Sequence, residues 1–135
     1  ADIEDLTRKL MRIGMDNIFA FFVDLDQLEN SLLKVDGITI DEFESYLGSE
    51  DIQLVDVRNI SEFSGGHVKG AVHHFVGTLE KSLGSLDPEV TTVIHCQAGD
   101  RSSIAYSILK KSGFKDVKNF GGGMQAWKMA GKPTE

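Results

Sequence analysis

The chain has a single cysteine among its 135 residues. An intramolecular disulfide is therefore closed to it, which fits a reducing compartment, and the cytoplasm is the expected location. It has no apolar run near the length of a membrane span and no signal-peptide pattern at its start, so neither a membrane association nor a secretory leader is expected. Basic residues are the minority, with 14 Lys and Arg against 21 Asp and Glu. The resulting net charge of −7 leaves no basic stripe to neutralise phosphates, so a general nucleic-acid binder is excluded. Of the four histidines, His73 and His74 are adjacent, and neither a His-x3-His pair nor a second cysteine completes a site, so no metal is expected. Gly121–Gly123 lack the lysine and the Gly-x-Gly-x-x-Gly spacing of a nucleotide loop. The first residue is alanine, as in a processed product or an excised piece of a longer chain.

The remaining composition is that of a globular protein, 41% hydrophobic and 26% charged, and the length suits one domain with a real core. Its most informative stretch is His95-Cys96-Gln97-Ala98-Gly99-Asp100-Arg101-Ser102. Thr92–His95 reads as the end of a buried strand, and Arg101–Ser112 as a helix. A cysteine on a tight loop between the two is placed where loop N–H groups and the helix N-terminus aim partial positive charge at its sulfur. Arg101 adds a full charge. Such surroundings lower a thiol pKa and make a nucleophile.

The rest of the chain alternates strands and helices. Asp2–Ile13 reads as an amphipathic helix with Ile3, Leu6, Leu10 and Ile13 on one face, stopped by Gly14. Asn17–Val23 reads as a short strand, and Leu25, Leu28 and Leu32 resume helical spacing. Thr39 and Glu42 form a capping box for a helix over Ile40–Leu47, closed by Gly48. Ile52–Val57 reads as a central strand, Asn59 and Glu62 cap another short helix, and Ala71–Val76 reads as a second strand with helical turns over Thr78–Leu83. The helix after the cysteine loop is expected to turn Ile104, Ile108 and Leu109 to the core and to stop at Gly113. Val117–Phe120 is a further strand, and a final helix carries Met124, Trp127 and Met129. This order predicts an α/β fold, a parallel sheet with helices on both faces, whose ligand sits beyond the carboxyl ends of the strands. An internal echo, Leu10, Gly14 and Phe21 against Leu109, Gly113 and Phe120, recurs at an offset of 99 residues and points to a tail of an upstream copy.

Four blocks, Val55-Asp56-Val57-Arg58 with Glu62-Phe63, Gly66-His67-Val68-Lys69-Gly70-Ala71, Cys96 to Arg101, and Gly121 to Trp127, stand in the order and spacing of a rhodanese domain, which the chain resembles from about Ile38 to Pro133. The resemblance implies a rhodanese domain over residues 36–135 and a sulfurtransferase that needs no cofactor. Cys96 would carry a sulfane sulfur as a persulfide, with Gln97, Ala98, Gly99, Asp100, Arg101 and Ser102 binding the substrate. Residues 1–35, a helix–strand–helix remnant, would be a linker or the tail of a degenerate upstream copy. Arg12–Ile18 resembles the segment that closes such copies in fusions of a metallo-β-lactamase-fold persulfide dioxygenase with rhodanese domains, so a dioxygenase domain upstream in the same polypeptide is the expected partner.

Other residues have plainer roles. Asp56 and Arg58 are expected to be a structural pair, since the chemistry needs no carboxylate base once the thiolate exists. His67 is expected to be structural, His95 to point away from the loop, and Trp127 to be core. Two other classes compete with sulfur transfer, a cysteine-dependent phosphatase or arsenate reductase and a non-catalytic rhodanese-like binding module. The former uses Cys-x5-Arg, whereas this loop is Cys-x4-Arg, tighter by one residue; inactive modules commonly lack the cysteine kept here. The small-molecule partners are sulfur donors and acceptors, namely a low-molecular-weight thiol persulfide, thiosulfate, sulfite or cyanide. Asp100 in the loop favours the persulfide over dianionic thiosulfate.

Overall fold

The computed structural model describes residues 2–12 and 34–135. The chain divides into two units, Ala1–Leu32 and Leu33–Glu135. Helix α1 (Ile3–Arg12) belongs to the first. Asp2 starts it by accepting the Glu4 and Asp5 amides at 3.0 and 3.3 Å, and an acidic first turn and basic last turn suit the helix dipole. None of its residues is buried. The Gly14 stop, the strand over 17–23, the helical spacing from Leu25 and nearly all of the Arg12–Ile18 segment lie outside the described residues.

The second unit is built on a parallel sheet of four strands, β1 (Ile52–Asp56), β2 (Val72–His73), β3 (Thr91–His95) and β4 (Val117–Phe120). They lie in the order β2-β1-β3-β4, and all three pairings are parallel. Side chains alternate across the two central strands. Val55 and Ile94 enter one core cluster with Leu79, Ala105 and Leu109; Leu54 and Val93 enter the other with Phe43, Met124 and Trp127. The first cluster is covered by α4 (Leu79–Ser82) and α5 (Asp100–Lys111), the second by α2 (Ile40–Tyr46) and α6 (Gly123–Met129). Each valine, leucine, isoleucine, phenylalanine or methionine among them taken fully out of water contributes about 1.5–3 kcal/mol. Helices thus cover both faces, as the sequence predicts.

Local sequence signals set the helix ends. Both capping boxes form: Thr39 with Glu42 opens α2, and Asn59 with Glu62 opens α3 (Ile60–Ser64). Gly113 stops α5 with φ 90°, a left-handed turn that suits glycine. Two expectations need correction. The second strand is two residues long, not six. Past His73, the His74 amide donates to the Asp56 carbonyl and the Val76 amide to the Val57 carbonyl, after which the chain winds into a 3-10 turn over Val76–Thr78. Ile104 is 57% exposed and not in the core. The buried stripe of α5 is Ser102, Ala105, Tyr106 and Leu109, and Ile104 sits about 100° from Ala105 around the helix. No described helix is long and apolar enough to cross a membrane.

Candidate active site

Cys96 follows the last residue of β3, and β1 ends beside it, because His95 is in register with Asp56. The sulfur is buried, and the Gly99 amide donates to it at 3.1 Å. The loop can curl this tightly because Gly99 adopts φ 103°, and any Cβ there would stand 2.8 Å from the Gly121 carbonyl. Helix α6 holds the loop from outside: its Met124 and Gln125 amides donate to the Cys96 and Gln97 carbonyls at 2.9 and 3.0 Å. A Cβ on Gly123 would collide with those two carbonyls, so the glycine run permits close backbone approach.

Burial pushes the Cys96 thiol up, but the Ser102 hydroxyl and the amides of Ser102, Ala98 and Gly99 outweigh it and hold the thiol below the usual cysteine range. The Ser102 hydroxyl has a single proton and a second acceptor, the Gly99 carbonyl at 3.0 Å. Formation of the thiolate favours turning that proton to sulfur. Ser102 is fully buried, while Gln97 is half-buried and Ala98 and Asp100 are exposed at the loop mouth.

Arg101 is placed differently from the simple expectation of a free cation. Its two terminal nitrogens donate to the two carboxylate oxygens of Glu62, at 2.5 and 2.9 Å. Those hydrogen bonds, opposed by burial and assisted by the Asn59 amide and by the nearby arginine charges, pull the Glu62 carboxyl down to about 2. Glu62 therefore has two tasks, capping α3 and holding Arg101. The sequence pattern predicts only the first, since the partners are 39 residues apart and no local pattern joins them.

Asp56 and Arg58 lie behind the loop, both buried. The Arg58 Nε and a terminal nitrogen donate to the Asp56 carboxylate at 2.6–3.0 Å, and the same nitrogen donates to the Gly66 carbonyl at 2.9 Å. The pair thus ties the end of β1 to the turn after α3. His67 stacks on Phe63 with ring centroids 3.8 Å apart, and its Nδ1 bonds to the Phe63 carbonyl at 3.0 Å. His95 turns to the α2 side of the sheet, edge-on to Phe43; burial pushes its imidazole below the usual histidine range, against the pull of Asp56. Trp127 is buried and donates to the Pro133 carbonyl at 2.8 Å. Among the described residues no cluster of three His, Cys, Asp or Glu could hold a metal ion. A largely apolar cleft of about 450 Å³ beside Trp127, Leu47 and Val68 has no loop residue in its lining.

Residues 39–130 match the family model for the rhodanese-like domain. A thiosulfate sulfurtransferase of Shewanella oneidensis is 29% identical over 90 residues, covering 67% of this chain and 89% of its own. The Bacillus subtilis protein YrkF, provisionally named a sulfur carrier protein, is 36% identical over 91 residues, 67% of this chain; the match spans only about half of that relative, 49%. The crystal structure of a rhodanese-like domain protein from Staphylococcus aureus aligns with a TM-score of 0.63 at 33% identity, over 69% of this chain and 91% of that one.

Proposed function

The chain belongs to the rhodanese-like domain family, and from that premise we propose that it is a sulfurtransferase working through a Cys96 persulfide. The observation that carries this reading is one buried sulfur just past the end of β3 that accepts the Gly99 amide at 3.1 Å. The Cys96 thiolate attacks the outer sulfur of a donor persulfide. One S–S bond forms at Sγ, the donor's own S–S bond breaks, and the donor leaves as a thiolate. An acceptor thiolate, sulfite or cyanide then attacks the carried sulfur and Cys96 leaves as thiolate, so no external oxidant or reductant is needed. The amides of Ala98, Gly99 and Ser102 stabilise negative charge on sulfur at both stages. Gln97, Ala98 and Asp100 border the mouth and meet the rest of the substrate.

The charges favour a low-molecular-weight thiol persulfide over thiosulfate as donor. Asp100 is exposed beside the loop, and Arg101, the loop's one cation, is already paired. The proposal of an upstream persulfide dioxygenase, whose sulfite the domain would convert to thiosulfate, rests on Arg12–Ile18 and the 99-residue echo alone; the names of the relatives above give it no support.

The test is covalent loading. After incubation with a persulfide, the intact mass of the chain rises by one sulfur atom and returns on addition of cyanide or a thiol. The Cys96→Ser protein gains no sulfur and transfers none. Transfer by that variant at a rate comparable to wild type overturns the reading.

A further inference from the structure

We infer that Glu62 is a specificity-determining residue, a built-in counter-anion that keeps the mouth of the Cys96 loop from acting as a cationic trap for dianions. The inference deepens the sulfur-transfer reading and rests on it for its choice of substrate.

Within Cys96–Ser102, Arg101 is the only cation. A free guanidinium there would present five N–H donors and a full charge to an incoming anion. The structure leaves the charge paired and only part of the fork free. Two of the donors end on Glu62 in a two-point clamp, and the carboxylate cancels the charge at contact distance. Glu62 is itself fixed, since α3 begins with its carboxylate accepting the Asn59 amide and its own amide held by the Asn59 side chain. Arg58, the other arginine behind the loop, is spent on Asp56. Among the described residues, the loop and the side chain that clamps it thus bring one cation, Arg101, and two carboxylates, Glu62 and the exposed Asp100, before the thiolate is counted. Attraction for an anion comes from the loop amides, with that of Gly99 on the sulfur itself, and amides supply no net charge. A dianion such as thiosulfate meets a net negative field on approach. A sulfane donor with at most one charge near its reacting end does not.

The substitutions that test this keep the cap and change only the charge. Glutamine is accepted at the third position of a capping box and retains a hydrogen bond to Arg101, so Glu62→Gln removes the charge with little change of shape. Glu62→Asp keeps the charge. The full chain in all three forms is alkylated at Cys96 at low ionic strength with iodoacetate, which is anionic, and iodoacetamide, which is neutral. Both reagents consume the same thiolate, so the ratio of their rates is independent of the thiol pKa and reads the local charge alone. Glu62→Gln raises the iodoacetate-to-iodoacetamide ratio about 3- to 10-fold, the size of one unit charge several ångströms away in a partly wet site. The gain shrinks as salt is added. Glu62→Asp stays within about 2-fold of wild type, because its unit charge remains near the same place. The KM for thiosulfate falls in Glu62→Gln while that for an uncharged persulfide moves less. An unchanged ratio in Glu62→Gln, or equal movement in the Gln and Asp variants, overturns the inference and leaves Glu62 as a cap. Should wild type take sulfur from no donor, the sulfur-transfer reading fails, and the alkylation ratio still decides the charge assignment.

Discussion

Asp56 and Arg58 hold each other in the interior, and Glu62 and Arg101 hold each other at its edge. Both are two-point arginine–carboxylate pairs, but their surroundings differ. The side chains of the inner pair are 0% and 2% exposed, those of the outer pair 27% and 30%. The inner arginine also takes a backbone carbonyl, Gly66, and so fixes where the chain goes after β1. The outer arginine joins two helices across a wet seam and leaves part of its fork unspent. Burial converts the same chemical group from an adjustable charge into a rivet. Breaking the inner pair strands an uncompensated charge in the core, whereas breaking the outer one hands both groups to water.

The largest expected effect follows from that contrast. Asp56→Ala lowers stability by about 3–5 kcal/mol in urea unfolding, and Glu62→Ala by about 1 kcal/mol or less. Equal losses would erase the distinction between the pairs.

Next in size is the pH dependence. His95 is buried neutral with its pKa depressed by burial, so below pH 6.5 the unfolded chain takes up a proton that the native state refuses. Its contribution is full above the unfolded pKa and is lost as pH falls from there towards the lowered native value. Glu62 has its pKa lowered from 4.5 to about 2, so its contribution is present above pH 4.5 and is lost as pH falls from there towards 2. Stability measured against pH should fall in two stages. His95→Asn makes the first shallower, the remainder coming from His74, which burial also lowers. Glu62→Gln does the same to the second, the remainder coming from Glu42, which the Thr39 hydrogen bonds also lower; a single stage untouched by either variant would contradict the assignment.

The smallest effect concerns the thiol. Ser102→Ala raises the pH midpoint of Cys96 alkylation by about 1 unit, the scale of one lost hydrogen bond to a charged atom. Arg101→Ala shifts it less, because Glu62 already offsets that charge. A larger shift in Arg101→Ala would make the guanidinium, not the loop's uncharged donors, the main activator of sulfur.

Much of this was legible in sequence because it is local. The capping boxes, the Gly113 stop and β4 each depend on residues a few positions apart, and each forms as read. The cysteine loop belongs to the same class, a strand, a turn and a helix start in eight residues. The misreadings lie where distant segments decide. Ala71–Val76 has the look of a strand, yet past His73 the His74 and Val76 amides meet the carbonyls of Asp56, the last residue of β1, and of Val57 beyond it, and the chain winds into a turn. Ile104 is apolar at a plausible spacing, but the stripe that reaches the sheet is set by Ser102 and Ala105, small residues that let α5 sit close. Glu62 shows the limit most clearly: its capping pattern was visible, and its hold on Arg101 was not.

The carbonyls of the cysteine loop carry one more consequence. Those of Cys96 and Gln97 are taken by α6, and that of Gly99 by the Ser103 amide and two serine hydroxyls. With these three acceptors occupied on the outside, the loop offers its Gly99 N–H to the sulfur. A second sulfur on Cys96 extends about 2 Å into that space and meets donors already oriented by their neighbours. Empty and loaded forms should thus superpose, with the receptacle shaped during folding and no backbone rearrangement needed at each turnover.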